Sequence, residues 1–273
     1  LEQEGDSELA AFAEAVLAGL GRRPRAIPAR FLYDAHGSAL FDQICDLPEY
    51  YLTRTETDIL QARAGEIARL AGRGCTLVEY GSGSSVKSRL LIEAMNDLRA
   101  YVPIDVSREH LEASAVHLRQ DYPGLRVMPV CADYMALDRL PASIDGSSRR
   151  IGFFPGSTIG NLVPQEARSF LRRARQLLGA NGALVLGIDL VKDGALLHAA
   201  YNDAAGVTAC FTLNLLARMN RELGADFDLA GFAHEAFYNP VERRIEIYFR
   251  SLRPQQVTVA GRRFTFPEGD RVH

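Results

Sequence analysis

The sequence has no excess of positive charge and no long apolar run. Its 31 Lys and Arg residues are outnumbered by 34 Asp and Glu residues, a formal net charge of −3, so no overall positive field would attract nucleic acid or an anionic membrane. No apolar run approaches the roughly 18 residues that a transmembrane helix needs. The acidic start of the chain does not resemble a signal peptide. These absences favour a globular protein that acts on a small molecule.

Cysteine and histidine are present, but not at the spacings that metal or disulfide chemistry would require. No two of the four cysteines form a CxxC pair, and the six histidines form no HxxxH or HxH pair. The cysteines are Cys45, Cys75, Cys131 and Cys210. Isolated thiols are typical of a reducing compartment rather than of a disulfide framework. We therefore expect a cytoplasmic protein without a metal site.

One basic cluster lies in the N-terminal part of the chain. It comprises Arg22, Arg23, Arg25 and Arg30 and is interrupted by two prolines. We interpret this cluster as a solvated linker rather than as an anion-binding site.

The middle of the chain alternates short apolar strands with helical segments. The predicted strands cover residues 76–80, 101–106, 125–130, 151–154 and 183–190, and the helices among them cover residues 86–95, 109–120 and 165–178. This alternation predicts an α/β fold with a parallel sheet covered on both faces. Ligands of such sheets bind at the carboxyl ends of the strands, so the residues that follow each strand matter most.

The two ends of the chain follow other patterns. An opening helix is expected to begin after an N-cap at Ser7 and to end at Gly21. Beyond the fifth strand, a helical stretch over residues 204–222 precedes alternating stretches over residues 243–250 and 256–265, which are typical of antiparallel strands. We predict a core domain over residues 55–193 and a second, α+β lobe that residues 1–54 and 194–273 form together.

A glycine motif, EYGSGSS over residues 79–85, follows the first predicted strand. Gly81 and Gly83 would let the backbone approach a ligand closely, and the next helix would offer free N–H groups. A dinucleotide-binding GxGxxG motif would need a third glycine where this sequence has Val86. An uncharged linker, such as that of S-adenosylmethionine, is therefore favoured over a pyrophosphate. A plain turn between strand and helix remains the alternative.

Polar and aromatic groups also follow the next three predicted strands. Asp105 lies 24 residues after Gly81, close to the offset of about 20 residues at which an acid binds ribose hydroxyls. Asp133 and Tyr134 follow the third strand and could bind an adenine amino group and ring face, although a helix cap and a core aromatic would give the same pattern. The fourth strand leads into FPGSTIGN, whose Asn161 is not required by a tight turn.

Several longer strings resemble those of the L-histidine Nα-methyltransferases of the ergothioneine pathway and their relatives. The strings are FLYDAHGSALFDQI, LPEYYLTRTE, EYGSGSSVKSRLL, GSTIGNL, DLVKD and AYNDAAGVTACF. The resemblance spans nearly the whole chain. It implies a class I, Rossmann-like methyltransferase core with a substrate lobe, and three methyl transfers that give a trimethylated betaine, hercynine. It also implies the residues that would hold S-adenosylmethionine, namely Gly81, Lys87, Asp105, Asp133 and Tyr134.

The same resemblance implies roles toward an amino acid substrate. Tyr50 of LPEYY resembles the residue that contacts the imidazole. Asn161 and Tyr201 resemble the pair that binds the carboxylate, and Gly156 would approach the amine. Tyr33 of FLYD resembles a phenol close to the reacting nitrogen, so we expect it to orient or deprotonate the amine.

One segment of the family pattern is missing from this sequence. Relatives carry, after the last strands of the lobe, a short segment with a glutamate and a serine that reach the imidazole, whereas this chain ends at His273. We therefore expect the 273 residues to be a shortened version of a longer enzyme, monomeric in its native form, and we expect the shortened chain to associate through the uncovered edge of the fifth strand.

Three alternative functions remain open at this point. The same fold could methylate another aromatic amino acid or amine, since Tyr50 would tolerate an indole. The chain could be a non-catalytic module that binds S-adenosylmethionine, although the presence of both Tyr33 and Asn161 argues against this. A nicotinamide oxidoreductase is the third alternative, and Val86 in the glycine motif counts against it.

Overall fold

The computed structural model describes residues 2–83, 85–142, 144 and 148–273, with the backbone alone for residues 2–7. Ser84 of the glycine motif therefore lies outside the described residues. The chain divides into two compact units. We call residues 51–190 the core unit, and residues 1–50 together with residues 191–273 the flanking unit. The division of roles between a cofactor domain and a substrate lobe stays a prediction.

The described residues form helices and strands with the following bounds. The α-helices are α1 (Glu2–Gly21), α2 (Ala35–Asp46), α3 (Tyr51–Ala71), α4 (Val86–Ala94), α5 (Arg108–Asp121), α6 (Pro164–Leu178), α7 (Gly194–Tyr201) and α8 (Val207–Leu223). The strands are β1 (Thr76–Tyr80), β2 (Ala100–Asp105), β3 (Val130–Cys131), β4 (Arg150–Phe154), β5 (Ala183–Leu186), β6 (Phe232–Asn239), β7 (Arg244–Ser251), β8 (Gln255–Val259), β9 (Arg262–Phe266) and β10 (Arg271–Val272).

The core unit contains a parallel five-stranded sheet in the order β3-β2-β1-β4-β5. Leu77 at the centre of the sheet lies between Tyr101 of β2 and Ile151 of β4. Side chains of neighbouring strand residues point to opposite faces, so Leu77 packs with α3, α4 and α5 while Val78 packs with α6. The predicted α/β fold, with a parallel sheet covered on both faces, is confirmed.

The strand order makes the carboxyl ends of β1 and β4 the position at which chain direction across the sheet reverses. From β1 the chain proceeds outward through β2 to β3, and from β4 it proceeds outward in the other direction to β5. Crevices at such reversal points are where open α/β sheets bind their ligands. The loops after β1 and β4 are therefore expected to form the ligand-binding crevice of this sheet.

The flanking unit has its own hydrophobic core, to which both ends of the chain contribute. Phe12 and Val16 of α1 pack in one cluster with Leu216 and Met219 of α8. Two antiparallel sheets, β10-β7-β6 and the β8-β9 hairpin, belong to this unit. No helix in the part of the chain that the structure describes is long and apolar enough to cross a membrane.

Several predicted element boundaries are wrong. Helix α1 already begins at Glu2, so Ser7 lies inside the helix and is not its N-cap. The alternating stretch over residues 256–265 does lie in antiparallel strands, β8 and β9, which are separated where Ala260 and Gly261 turn the chain with φ angles of 46° and 75°. The strand predicted over residues 125–130 is reduced to β3, β5 ends at residue 186 rather than 190, and β6 was not predicted.

The interpretation of the basic cluster as solvated is also wrong for one of its members. Arg25 is 5% exposed. Its Nη1 donates to Asp270 Oδ2 at 2.7 Å, its Nη2 donates to the carbonyl of Thr265, and its guanidinium lies 4.1 Å from the centre of the Phe266 ring. Tertiary pairing across the flanking unit therefore buries a charge that the local sequence marks as solvated.

Candidate active site

The glycine loop after β1 is hydrogen-bonded to the last two residues of β2, Ile104 and Asp105. Gly81 and Gly83 have φ angles of 70° and 48°, which glycine adopts without strain. The N–H groups of Gly81 and Ser82 donate to the carbonyl of Ile104 at 2.8 and 3.2 Å. The Gly83 N–H donates to Asp105 Oδ2 at 3.0 Å. The structure thus brings Gly81, Gly83 and Asp105 together, as the strand-end argument predicts.

Asp105 is held from both sides. Its Oδ1 accepts the N–H of Ser107 at 3.0 Å, while Oδ2 accepts the N–H of Gly83. An ionised carboxylate offers about four lone-pair sites, so two of them remain for hydroxyl donors. Asp105 can therefore fix the glycine loop and bind a ligand at the same time.

Tyr134 lies beside the glycine loop but also belongs to the core. A Cβ placed on Gly81 would be 3.8 Å from Tyr134 Cε1. The Tyr134 ring packs against Phe154 and Phe170 at centroid distances of 5.3 and 5.7 Å, and burial raises the pKa of its phenol to about 12. The neighbouring Asp133 accepts the N–H of Met135 at 2.8 Å. Both predicted roles of Tyr134, core aromatic and ring beside the loop, are compatible with this position.

Glu79 is a buried acid at the end of β1 that the sequence analysis did not select. It is 1% exposed and accepts hydrogen bonds from the hydroxyls of Ser88 and Tyr101. Burial raises the pKa of Glu79 to about 8, while these two hydrogen bonds and the charge of Lys87 act in the opposite direction. An acid inside an otherwise apolar strand is the sequence signal that could have identified it.

A second acid, Glu56 of α3, was also missed. Lys87 Nζ at the start of α4 lies 2.5 Å from Glu56 Oε2. The N–H of Gly156, two residues after the end of β4, donates to both carboxylate oxygens of Glu56 at 2.9 and 2.8 Å. The side chains of Lys87 and Glu56 are 17% and 16% exposed. Two of the predicted site residues, Lys87 and Gly156, therefore meet on one carboxylate.

The loop after β4 has a constrained backbone. Ser157 adopts a φ of 56°, a left-handed conformation that costs a non-glycine residue about 1–3 kcal/mol. Its hydroxyl accepts the N–H of Asp189 at 3.0 Å, and Asp189 in turn accepts the hydroxyl of Tyr51 at 2.5 Å. Asn161 ends the following 3-10 helix with an exposed side chain.

In the flanking unit, the three predicted substrate tyrosines share one aromatic cluster. The Tyr33 ring lies 5.5 Å from Phe41 and 5.3 Å from Phe211, and Tyr50 lies 6.3 Å from Phe41 and 6.0 Å from Tyr201. Phe211, which also packs 5.9 Å from Phe41, was not predicted. Edge-to-face packing of this kind fixes ring orientations.

Hydrogen bonds at residues that neighbour the cluster in sequence fix the backbone that carries two of its rings. Asp34 caps α2 by accepting the N–H of Gly37 at 2.8 Å, and a Cβ on Gly37 would lie 1.8 Å from the carbonyl oxygen of Leu32. The Tyr201 carbonyl lies 2.9 Å from His234 Nε2. Burial lowers the pKa of His234, and because a carbonyl only accepts, Nε2 carries the proton. The string FLYDAHG is thus explained by a cap and a close backbone approach.

The described residues contain no group of three His, Cys, Asp or Glu side chains that could hold a metal ion. The strand-end residues of the core unit and the aromatic cluster of the flanking unit offer different chemistry. The core unit presents carboxylates, glycine backbone and a lysine at strand ends, and the flanking unit presents rings and hydroxyls. The first suits a nucleoside with hydroxyl and amino groups, and the second suits an aromatic or cationic group.

Residues 12–273 match the family described as histidine-specific methyltransferase, SAM-dependent. The chain belongs to this methyltransferase family. A histidine N-alpha-methyltransferase from Mycolicibacterium smegmatis is 46% identical over 93% of this chain and 79% of its own length. The enzyme of the same name from Mycobacterium tuberculosis is 45% identical over 89% of this chain and 76% of its own length. The resemblance seen in the sequence is confirmed.

Two more distant similarities accompany these. Ergothioneine biosynthesis protein 1 of Neurospora crassa is 33% identical over 80% of this chain, which spans 27% of that longer protein. Among solved structures, the mitomycin 7-O-methyltransferase MmcR aligns with a TM-score of 0.40 and 14% identity, over 71% of this chain and 54% of that one. Membership of the family makes the chain a SAM-dependent methyltransferase.

Proposed function

We propose that this protein transfers methyl groups from S-adenosylmethionine to the α-amino nitrogen of L-histidine, up to the trimethylated betaine hercynine of ergothioneine biosynthesis. The observation that carries the proposal is the 46% identity, over 93% of the chain, to a protein named histidine N-alpha-methyltransferase. Action in the cytoplasm and a monomeric state belong to the same proposal, with L-histidine as the small-molecule partner.

The residues at the strand ends of the core unit fit S-adenosylmethionine better than a phosphate-containing cofactor. Asp105 and Asp133 supply acceptors for ribose hydroxyls and for an adenine amino group, and Tyr134 supplies a ring beside Gly81. A carboxylate that bonds to the glycine loop would repel a pyrophosphate at the same place. When bound, S-adenosylmethionine supplies a methyl group already activated on a sulfonium.

Because the methyl group is already activated, the main role proposed for the protein's own residues is to position the methyl acceptor, histidine. Asn161 and Tyr201 would bind the carboxylate of histidine, Tyr50 would contact the imidazole, and Gly156 would lie near the amine. Well-oriented reactants can recover about 7–11 kcal/mol of barrier, more than any acid–base step is asked to provide here. This is why positioning residues, rather than a strong base, are expected to dominate the reaction.

The amine must lose a proton before it can accept a methyl group. From a reference pKa near 8, deprotonation at pH 7 costs about 1–2 kcal/mol. The phenol oxygen of Tyr33 would orient the amine by accepting a hydrogen bond from it, directly or through water, while the proton itself leaves through water to the solvent. As methyl groups accumulate the nitrogen becomes a permanent cation. The rings of Tyr33, Phe41 and Phe211, which pack together, would stabilise that cation by about 0.5–2 kcal/mol.

The decisive experiment supplies the protein with methyl-labelled S-adenosylmethionine and each of the twenty amino acids in turn. We expect label in histidine, and mass spectrometry should find products with one, two and three added methyl groups. Faster labelling of another aromatic amino acid would assign a different substrate to the same fold. Cofactor binding without transfer to any amino acid would favour a non-catalytic module.

A further inference from the structure

Glu56 occupies an unusual place on α3. Leu52, Glu56, Leu60 and Ala64 follow one another at intervals of four residues, which places them on one face of the helix. The three apolar members are buried, and Leu60 and Ala64 pack in the core of the core unit. A charged side chain in a buried apolar stripe needs partners. This face of α3 therefore both packs against the hydrophobic core and carries the Glu56 carboxylate.

The partners of Glu56 come from both loops at the reversal point of the sheet. Lys87 lies in the first turn of α4, the helix that follows the glycine loop of β1, and Gly156 lies in the loop after β4. These are the loops that the proposed function assigns to the cofactor and to the reacting amine. One carboxylate thus connects the two loops whose relative position sets the distance over which a methyl group would travel.

The loop after β5 also packs against the Glu56 carboxylate, at Gly187. A Cβ on Gly187 would lie 1.9 Å from Glu56 Oε1 and 3.2 Å from the Gly156 nitrogen, so the space that a side chain would need is filled by the acid. The Gly187 N–H donates to the carbonyl of Phe154 at 2.9 Å. A glycine at this position is therefore explained by the presence of Glu56.

We propose that Glu56 is a positioning residue that fixes the Lys87 ammonium and the Gly156 N–H at once, and so couples cofactor affinity to placement of the amine. The inference rests on the proposed function for what the two loops bind. Its physical basis is that a mostly buried ion pair leaves an uncompensated charge when one partner is lost. Without Glu56, Lys87 would turn to other acceptors, and the Gly156 N–H would lose the group that holds it.

The test is a double-mutant cycle on cofactor affinity. Calorimetry with S-adenosylhomocysteine would compare the parent protein with Glu56→Gln, Lys87→Met and the double variant. We expect each single variant to weaken binding about tenfold, and the double variant to be no more than about twofold weaker than either, because the two side chains act as one unit. Glu66→Gln, an exposed acid on the same helix, is the matched control and should bind as the parent does.

Gly187 provides a second test that does not remove the acid. Gly187→Ala should weaken cofactor binding and raise the KM for histidine in the parent, because the new methyl group displaces the carboxylate. In the Glu56→Ala background the same substitution should change both quantities much less, since only the 3.2 Å contact with the Gly156 nitrogen remains. A merely structural role for Glu56 would instead lower the melting temperature while leaving the effects of Glu56→Gln and Lys87→Met additive.

The outcomes separate this inference from the proposed function. If the parent methylates histidine but Glu56→Gln equals the parent in cofactor affinity, kcat and KM, the inference is wrong and the function stands. If Glu56→Gln weakens cofactor binding while the parent methylates another amino acid, Glu56 keeps its role and the substrate is reassigned. A parent that binds no cofactor would overturn both.

Discussion

At the scale of single residues, Asp105 has two tasks. Its carboxylate accepts the Gly83 and Ser107 N–H groups, and it is proposed to bind the ribose hydroxyls as well. A substitution there would both remove ligand contacts and release the glycine loop. We therefore expect loss of the Asp105 carboxylate to lower cofactor affinity more than it lowers the free energy of unfolding.

We expect Asp105→Ala to weaken S-adenosylmethionine binding by about 1–3 kcal/mol, the loss typical of removing a charged hydrogen-bond acceptor. Titration calorimetry measures this directly. Asp121→Ala removes a surface acid paired with Arg89 and serves as the control. Unchanged cofactor affinity in a folded Asp105→Ala protein would exclude Asp105 from the site.

Asn161 and Tyr201 are proposed to bind the substrate carboxylate. We expect Asn161→Ala and Tyr201→Phe to raise the KM for histidine and to leave cofactor affinity intact, since this contact is present in the ground state and the transition state alike. Steady-state kinetics with histidine and with histamine, which lacks the carboxylate, provide the comparison. Equal rates with both compounds would contradict the carboxylate contact.

Whether the role of a residue can be predicted from the sequence depends on how close its contact partners lie in the chain. Asp105 and Tyr134 could be selected because strand periodicity marks where strands end, and strand ends of a parallel sheet converge. Glu56 could not, since Gly156 lies 100 residues away in the chain. Arg25 was misinterpreted for the same reason, because Asp270 is 245 residues distant.

At the scale of elements, the start of α2 depends on one acid. Asp34 caps the helix and also accepts bonds from Asn214 and Arg221 of α8 at 2.8 and 2.6 Å. Burial alone would raise the pKa of Asp34, but the hydrogen bonds from Gly37, Arg221 and Asn214 lower it below the ordinary value of 3.8. Folding therefore favours the charged form of this carboxyl.

A depressed pKa in the folded state contributes stability that is present above the unfolded pKa and is lost as pH falls through the folded one. We expect Asp34→Asn, which keeps a capping oxygen but loses the charge, to cost about 1–2 kcal/mol at pH 7. Below about pH 4 the difference from the parent should shrink. Urea unfolding at pH 7 and pH 3 measures both, and a difference that is constant with pH would contradict the assignment.

Most element boundaries were predicted well where helices and strands alternate in the core unit, because each apolar run is bounded by turn residues; β3 and the end of β5 are the exceptions. They were predicted poorly in the flanking unit. Strand β6 pairs along its whole length with β7, and its sequence FAHEAFYN lacks strict alternation. Pairing with a neighbour, rather than local pattern, determined that strand.

At the scale of the whole molecule, the ion pair between the buried Arg25 and the partly buried Asp270 joins the two segments of the flanking unit. Breaking a buried pair by removing one partner typically costs about 3–5 kcal/mol. We expect Arg25→Ala to lower the stability of the flanking unit by about 3 kcal/mol and to reduce hydrogen-exchange protection in β7 and β9. Strands β1 and β4 should keep theirs, and Arg22→Ala, at an exposed neighbour, should change neither. Equal loss of protection in both units would contradict this assignment.

The order in which the chain is synthesised has a consequence for its folding. Residues 1–50 leave the ribosome well before residues 191–273, the segment that completes their hydrophobic core. The intervening 140 residues, 51–190, form a unit of their own. Translation proceeds at roughly 5–20 residues per second. The apolar face of α1, with Phe12, Val16 and Leu20, is therefore synthesised on the order of ten seconds before the residues it packs against. During translation the apolar face of α1 is thus expected to stay open to chaperones and to aggregation for longer than the core of the unit formed by residues 51–190.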